Sequence, residues 1–127
     1  MRIQVITMQA QQVQLSNPGE PIETKVFPKG RFELFNIAGK KVGRATYEPG
    51  WKWSEHVGPQ VGDTRCRVSH FGYVVSGTCA VGFDDGSVAE LGQGAFFHIP
   101  AVPHDSWVIG EEAYVSLHLD HPEDYAA

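Results

Sequence analysis

Short apolar segments, cut at close intervals by Gly and Pro, constrain what this chain can fold into more than any other feature. The 14 Gly and 8 Pro residues separate stretches rich in Val, Ile, Phe and Tyr, side chains that fit a pleated surface. No stretch sustains a 3.6-residue apolar period. Strands are expected over residues 32–37, 41–48, 68–76, 79–83, 88–91, 95–99, 106–109 and 114–119, each followed by a turn signal such as Asp85-Gly86 or Gly92-Gln93-Gly94. Short strands in that number predict an all-β sandwich or barrel with antiparallel sheets. Residues 8–15 are expected to make at most a helical turn or two on the surface, since they are Gln-rich and lack an apolar stripe.

At 127 residues the chain has room for one domain, as domains commonly run to about 100–150 residues. The division expected is an arm over 1–29 that contributes a strand or a dimer contact, a barrel over 30–119, and a polar tail over 120–127. The net charge of -5 arises without an acidic run, and the ten Lys and Arg are scattered. No basic stripe is therefore present to neutralise a phosphate backbone, and nucleic acid is not an expected partner. Neither a bilayer-spanning apolar run nor a secretory leader is visible, so no membrane partner and a cytoplasmic location are expected. Cys66 and Cys79 are then read as free thiols.

Alternation sorts the strand around His70 into two faces. Cys66, Val68, His70, Gly72 and Val74 share one, and Phe71, Tyr73 and Val75 share the other. Both are largely apolar, so both should be covered, the outer one by the arm or a second subunit. A homodimer through one sheet is the preferred version.

His56, His70 and His104 each sit beside a turn. Neutral imidazoles brought from different strands to a barrel mouth can converge on a divalent ion. Read from the residues alone, unrelated surface or core histidines remain the alternative.

The segment from Gly50 to His56, with His70 to Gly77 after it, resembles the first motif of the cupin family, G-x5-H-x-H followed by E-x6-G. Gly94, Pro100 and His104 resemble the second, G-x5-P-x-G followed by H. The resemblance spans about residues 30–119 and implies a double-stranded β-helix, a jelly-roll barrel of antiparallel sheets. The departures are specific. Gly58 stands where the family has its second histidine, His70 replaces the glutamate, Val102 replaces a glycine, and residues 57–65 form an inserted loop. The ligand set the resemblance implies is therefore three neutral imidazoles, from His56, His70 and His104, around Fe, Zn, Mn or Ni.

Cys66 lies on the face of His70 and completes a His3Cys site, sits nearby as a redox-sensitive thiol, or packs inertly. Cys79 is expected to pack. His98 lines the cavity or is structural, His118 points away from the site, and His121 is solvated. Trp51, Trp53 and Trp107 contact a ligand or pack between sheets, and Glu55 or Asp105 orients an imidazole or faces water. All-histidine cupin centres imply a dioxygenase acting on a small molecule. A metal-dependent isomerase or lyase is the alternative, and a non-enzymatic small-molecule binding or sensing module is another.

Overall fold

Gly77 shows how the turns divide this chain into two sheets. It adopts φ +75°, where a side chain is strained, and a Cβ there would also strike the Ala113 carbonyl. The chain breaks from one sheet to the other at this corner. The computed structural model describes residues 13–127, so most of the segment 8–15 lies outside the described residues.

Nine strands follow in order: β1 (Glu23–Phe27), β2 (Gly30–Ile37), β3 (Lys40–Tyr47), β4 (His70–Ser76), β5 (Thr78–Phe83), β6 (Val88–Leu91), β7 (Phe96–Ile99), β8 (His104–Ile109) and β9 (Tyr114–His118). All pair antiparallel. One sheet has the order β1-β2-β3-β9-β4-β7 and the other β6-β5-β8. The result is a jelly-roll barrel of the cupin-like kind, and β1 falls within the segment read as an arm.

Residues 57–65 are not a plain loop. Two one-turn helices, α1 (Trp53–His56) and α2 (Gly58–Val61), lie in the middle of the connection between β3 and β4. Asp105 on β8 fastens α1, accepting hydrogen bonds from the Ser54 backbone N at 3.0 Å and Ser54 Oγ at 2.7 Å. Isolated bridges Lys52↔Trp107 and Cys66↔His104 stitch both ends of the connection to the smaller sheet. No described helix is long and apolar enough to cross a membrane.

The core between the sheets is aromatic. Phe32, Tyr47, Trp51, Trp53, Val74, Val81, Phe97 and Tyr114 are buried in it, and Tyr47 stacks on Trp51 with centroids 3.7 Å apart and planes 4° from parallel. Burying this much ring area is the main driving force for closing the barrel. The C-terminal segment adds one more ring. A one-turn 3-10 helix (Pro122–Asp124) delivers Tyr125 into the barrel end, where it is 3% exposed and its hydroxyl meets that of Tyr47 at 2.7 Å. Lys25 Nζ on β1 donates to the carbonyls of Glu123 and Tyr125 and ties the segment down. The polar tail expected over 120–127 thus carries an aromatic plug.

Candidate metal centre

Three residues that could ligate an ion meet inside the barrel: Cys66, His70 and His104, all buried, with ligand atoms within 4.8 Å of one another. Each arrives by a different route. His70 opens β4, whose alternation turns it inward with Gly72 and Val74. Gly72 lets β4 lie close to β9, because a Cβ there would run into the Leu117 carbonyl. His104 opens β8, and the paired backbone bonds Cys66 N to His104 O at 2.8 Å and His104 N to Cys66 O at 3.0 Å set the cysteine beside it.

The electrostatics keep all three neutral. Burial drives the His70 pKa down to about 2, with neighbouring His118 and His104 adding to the effect. His104 is lowered by burial, opposed by its bond to the Val102 carbonyl. Burial lifts the Cys66 thiol to about 11. These are the directions expected when a charge-bearing form is taken out of water.

The hydrogen bonds leave lone pairs facing inward. His104 Nδ1 lies 2.8 Å from the Val102 carbonyl oxygen. A carbonyl only accepts, so Nδ1 carries the proton and Nε2 keeps its lone pair, the state a metal-ligating histidine needs. Cys66 Sγ and His70 Nε2 are 3.4 Å apart, close to the roughly 3.5 Å between two ligands of a tetrahedral ion with bonds of about 2.3 Å to sulfur and 2.0–2.1 Å to nitrogen. The donor set therefore fits a divalent ion, with Cys66 as thiolate.

His56 does not join them. It ends α1, half-buried, with Nδ1 2.9 Å from the Lys52 N and 3.1 Å from the Lys52 O. That nitrogen is engaged by its own turn, and His56 is not on the wall of the cavity. The fold thus brings two of the three expected imidazoles together with a thiol, and His56 stands apart from them. The motif spacing counts residues correctly but cannot show that the last of them closes a one-turn helix.

His118 corrects a second expectation. It alternates with Val115, Leu117 and Leu119 as read, yet the inward face of β9 is the polar one: Tyr114, Ser116 and His118 are buried. Its ring lies 5.4 Å from that of His70, its Nε2 is 3.0 Å from Ser116 Oγ, and burial lowers its pKa to about 4. Tyr125 was likewise missed, with its ring 5.5 Å from His70. Its one signal was being the only aromatic residue after β9.

Other expectations resolve simply. His98 faces outward and is exposed, as is Glu55. Trp51 and Trp53 line the cavity, while Trp107 lies off it beneath Lys52 Nζ, 5.8 Å from its ring. Asp105 serves Ser54 and not an imidazole. Cys79 is buried, lifted to about 12 by burial, and shares the cavity wall. The cavity offers about 30 Å³ to water-sized spheres, room for an ion with one or two waters.

No family model matches the chain, and no curated protein is detectably similar in sequence. Solved structures are similar in fold. The polyketide cyclase RemF from Streptomyces resistomycificus aligns at TM-score 0.60 and 12% identity, over 84% of this chain and 77% of that one. Drosophila melanogaster CENP-C bound to CAL1 aligns at 0.59 and 16%, over 93% and 97%. The Lactobacillus farciminis oxalate decarboxylase formate complex aligns at 0.53 and 16%, over 85% of this chain and 36% of that one. At these identities the likeness concerns the barrel alone, and it agrees with the cupin-like architecture described above.

Proposed function

We propose that this protein holds one divalent metal ion on Cys66, His70 and His104 and uses it as a Lewis acid toward a small molecule, as a lyase, isomerase or cyclase would. The observation that carries the reading is the convergence of three buried donors from separate segments within 4.8 Å. Zinc suits the set best, since one thiolate and two imidazoles form a borderline-soft, tetrahedral donor group. Bound there, the ion supplies an electrophile with one open position. The thiol proton of Cys66 leaves to solvent as the metal–sulfur bond forms, so uptake is pH-dependent.

This chain's own residues do the rest. Val102 holds His104 in the ligating tautomer, Ser116 orients His118 beside His70, and Tyr47 with Tyr125 closes the site from water. The dioxygenase expectation rested on His56, His70 and His104 as the set; His56 lies apart and a thiol stands beside the other two, so we favour non-redox chemistry. The fold resemblance to a polyketide cyclase and to an oxalate decarboxylase supports small-molecule chemistry as the class. A second copy of this chain is the proposed macromolecular partner.

The test is elemental analysis of protein prepared without an affinity tag, followed by cobalt substitution. One equivalent of metal and a near-ultraviolet thiolate-to-cobalt absorption are expected. Cobalt bound without that absorption would remove Cys66 from the set. Metal far below one equivalent after zinc supplementation would overturn the reading.

A further inference from the structure

Every residue of the cavity wall but one belongs to a barrel strand or to the β3–β4 connection, which the bridges Lys52↔Trp107 and Cys66↔His104 pin to the smaller sheet. The exception is Tyr125, on the segment that follows β9. Among the described residues, backbone N–H groups of that segment bond only within its own turn, Asp124 N to the His121 carbonyl and Tyr125 N to that of Pro122. Its polar ties to the barrel are made by side chains. Lys25 Nζ donates to the Glu123 and Tyr125 carbonyls, the Tyr125 hydroxyl pairs with that of Tyr47, and Lys41 Nζ stands 3.8 Å from Glu123 Oε2.

The same segment carries features that oppose its closed position. His121 and Ala126, which bracket it, have φ 44° and 54°, the left-handed region that residues other than glycine avoid. Glu123 Oε1 is buried without a hydrogen-bond partner, a cost that contact with water removes. Open clefts flank the segment: about 520 Å³ against Lys25 and Val26, about 430 Å³ against Lys40 and Lys41, and about 170 Å³ against Arg65 and Arg67. A segment without ladder bonds, strained at both ends and with space beside it, belongs among the regions that open locally at low cost. With the segment closed, the cavity's roughly 30 Å³ admits nothing larger than an ion and its waters.

We infer that Pro122–Tyr125 is a strap that gates this cavity: it swings about His121 and Ala126 into the flanking clefts, withdraws the Tyr125 ring from beside His70, and is latched shut by Lys25. A ligand larger than water reaches Cys66, His70 and His104 only in the open state. Opening gives access whatever ion the cavity holds, so the strap and the metal reading stand or fall separately.

Access is read by the rate at which Cys66 of the metal-free full chain reacts with a thiol reagent, in a Cys79→Ser background. Lys25 is off the cavity wall, so Lys25→Met removes the latch and leaves the wall intact. That variant is expected to react at least about tenfold faster, the factor carried by one hydrogen bond to a charged group. In both chains the rate should stay nearly flat at low denaturant, because a local opening exposes little surface, and climb only where global unfolding sets in. A parent rate that follows global unfolding at every denaturant concentration would overturn the strap, as would a Lys25→Met rate equal to the parent's. Zinc uptake enters neither readout, so both outcomes leave the metal reading untouched.

Discussion

The two faces of the large sheet invert the usual order of polarity. Where β4, β7 and β9 face the barrel interior, they present His70, Ser116 and His118 among the apolar residues. Where the same strands face outward, they present Phe71, Tyr73, Val75, Phe96, Val115 and Leu117 around one exposed His98, with Phe71 46% and Phe96 75% exposed. A half-buried antiparallel sheet ordinarily puts apolar side chains in and polar ones out. Polar groups inside cost free energy unless they are paired or put to use, and a contiguous apolar patch outside marks a contact surface. The proposed metal centre and the proposed contact with a second copy would lie on opposite sides of this one layer.

The largest expected effect comes from emptying the inner face. His70→Ala, His104→Ala and Cys66→Ala would each remove one of the three proposed protein bonds to the ion, and zinc should be lost to a mild chelator in all three. His56→Ala should keep it. Retention competition by dialysis reads this directly, and loss of metal in the His56 variant would return that residue to the ligand set.

Next comes the plug. Tyr125→Ala removes a ring packed on Phe32 at 4.6 Å and His118 at 6.1 Å, and roughly 3–5 kcal/mol of stability is at stake in removing a buried aromatic. Tyr125→Phe keeps the ring and strands the Tyr47 hydroxyl, for about 1–3 kcal/mol. In a background with Cys79→Ser, Cys66 should react with a thiol reagent much faster in Tyr125→Ala than in the parent. Unchanged reactivity would mean that the ring does not guard the site.

How much of this was legible beforehand depended on whether a local rule sufficed. Alternation along one strand is local, and it placed His70, Gly72 and Val74 on a common inward face, whereas Cys66 lies outside β4 and reaches the site through its bridge to His104. Turn chemistry is local too, and β6 over Val88–Leu91 falls where its flanking turns put it. His118 was not legible, because deciding which face of β9 is inward needs its register against β3 and β4, and the tempting rule that Val115 and Leu117 face the core fails on a strand that turns Ser116 and His118 inward. His56 was misplaced because a motif read as a spacing carries no information on the helix that the inserted segment forms. Tyr125 was missed because a short polar segment gives no sign that its single aromatic ring has a hole to fill.

A smaller effect is expected from acid on the metal-free protein. Unfolded, a histidine takes up its proton near pH 6.5, whereas native His118 resists until about 4 and native His70 until about 2. The unfolded chain therefore binds more protons between these values, and stability falls as pH drops below about 6.5. For His118 the loss is on the order of 3 kcal/mol by pH 4. Denaturant melts at pH 7 and pH 5 should separate, and His118→Gln should narrow the gap. A gap of unchanged size in that variant would show that His118 is not held neutral by burial.

The smallest effect on the fold, and the sharpest for the comparison, is expected on the outer face. Phe96 sits on β7, the edge of the six-stranded sheet, opposite Tyr73 with ring centroids 4.9 Å apart. Leu117 lies across from Tyr73 on the other side, and the Leu119 N–H donates to the Phe71 carbonyl at 2.8 Å, so the patch is continuous across three strands. A second copy related by a two-fold axis would bury it in one self-complementary contact, the commonest closed assembly. Phe96→Glu introduces a charge where the ring is already mostly in water, so barrel stability should change by no more than about 0.5 kcal/mol and zinc content not at all. The mass in solution is what should change: dimer at micromolar concentration for the parent chain by light scattering, monomer for the variant, because two like charges would be pressed together across the axis without partners. A parent chain that is monomeric under those conditions would remove the second copy as the occupant of this face, and a variant that stays dimeric would move the contact to another part of the surface.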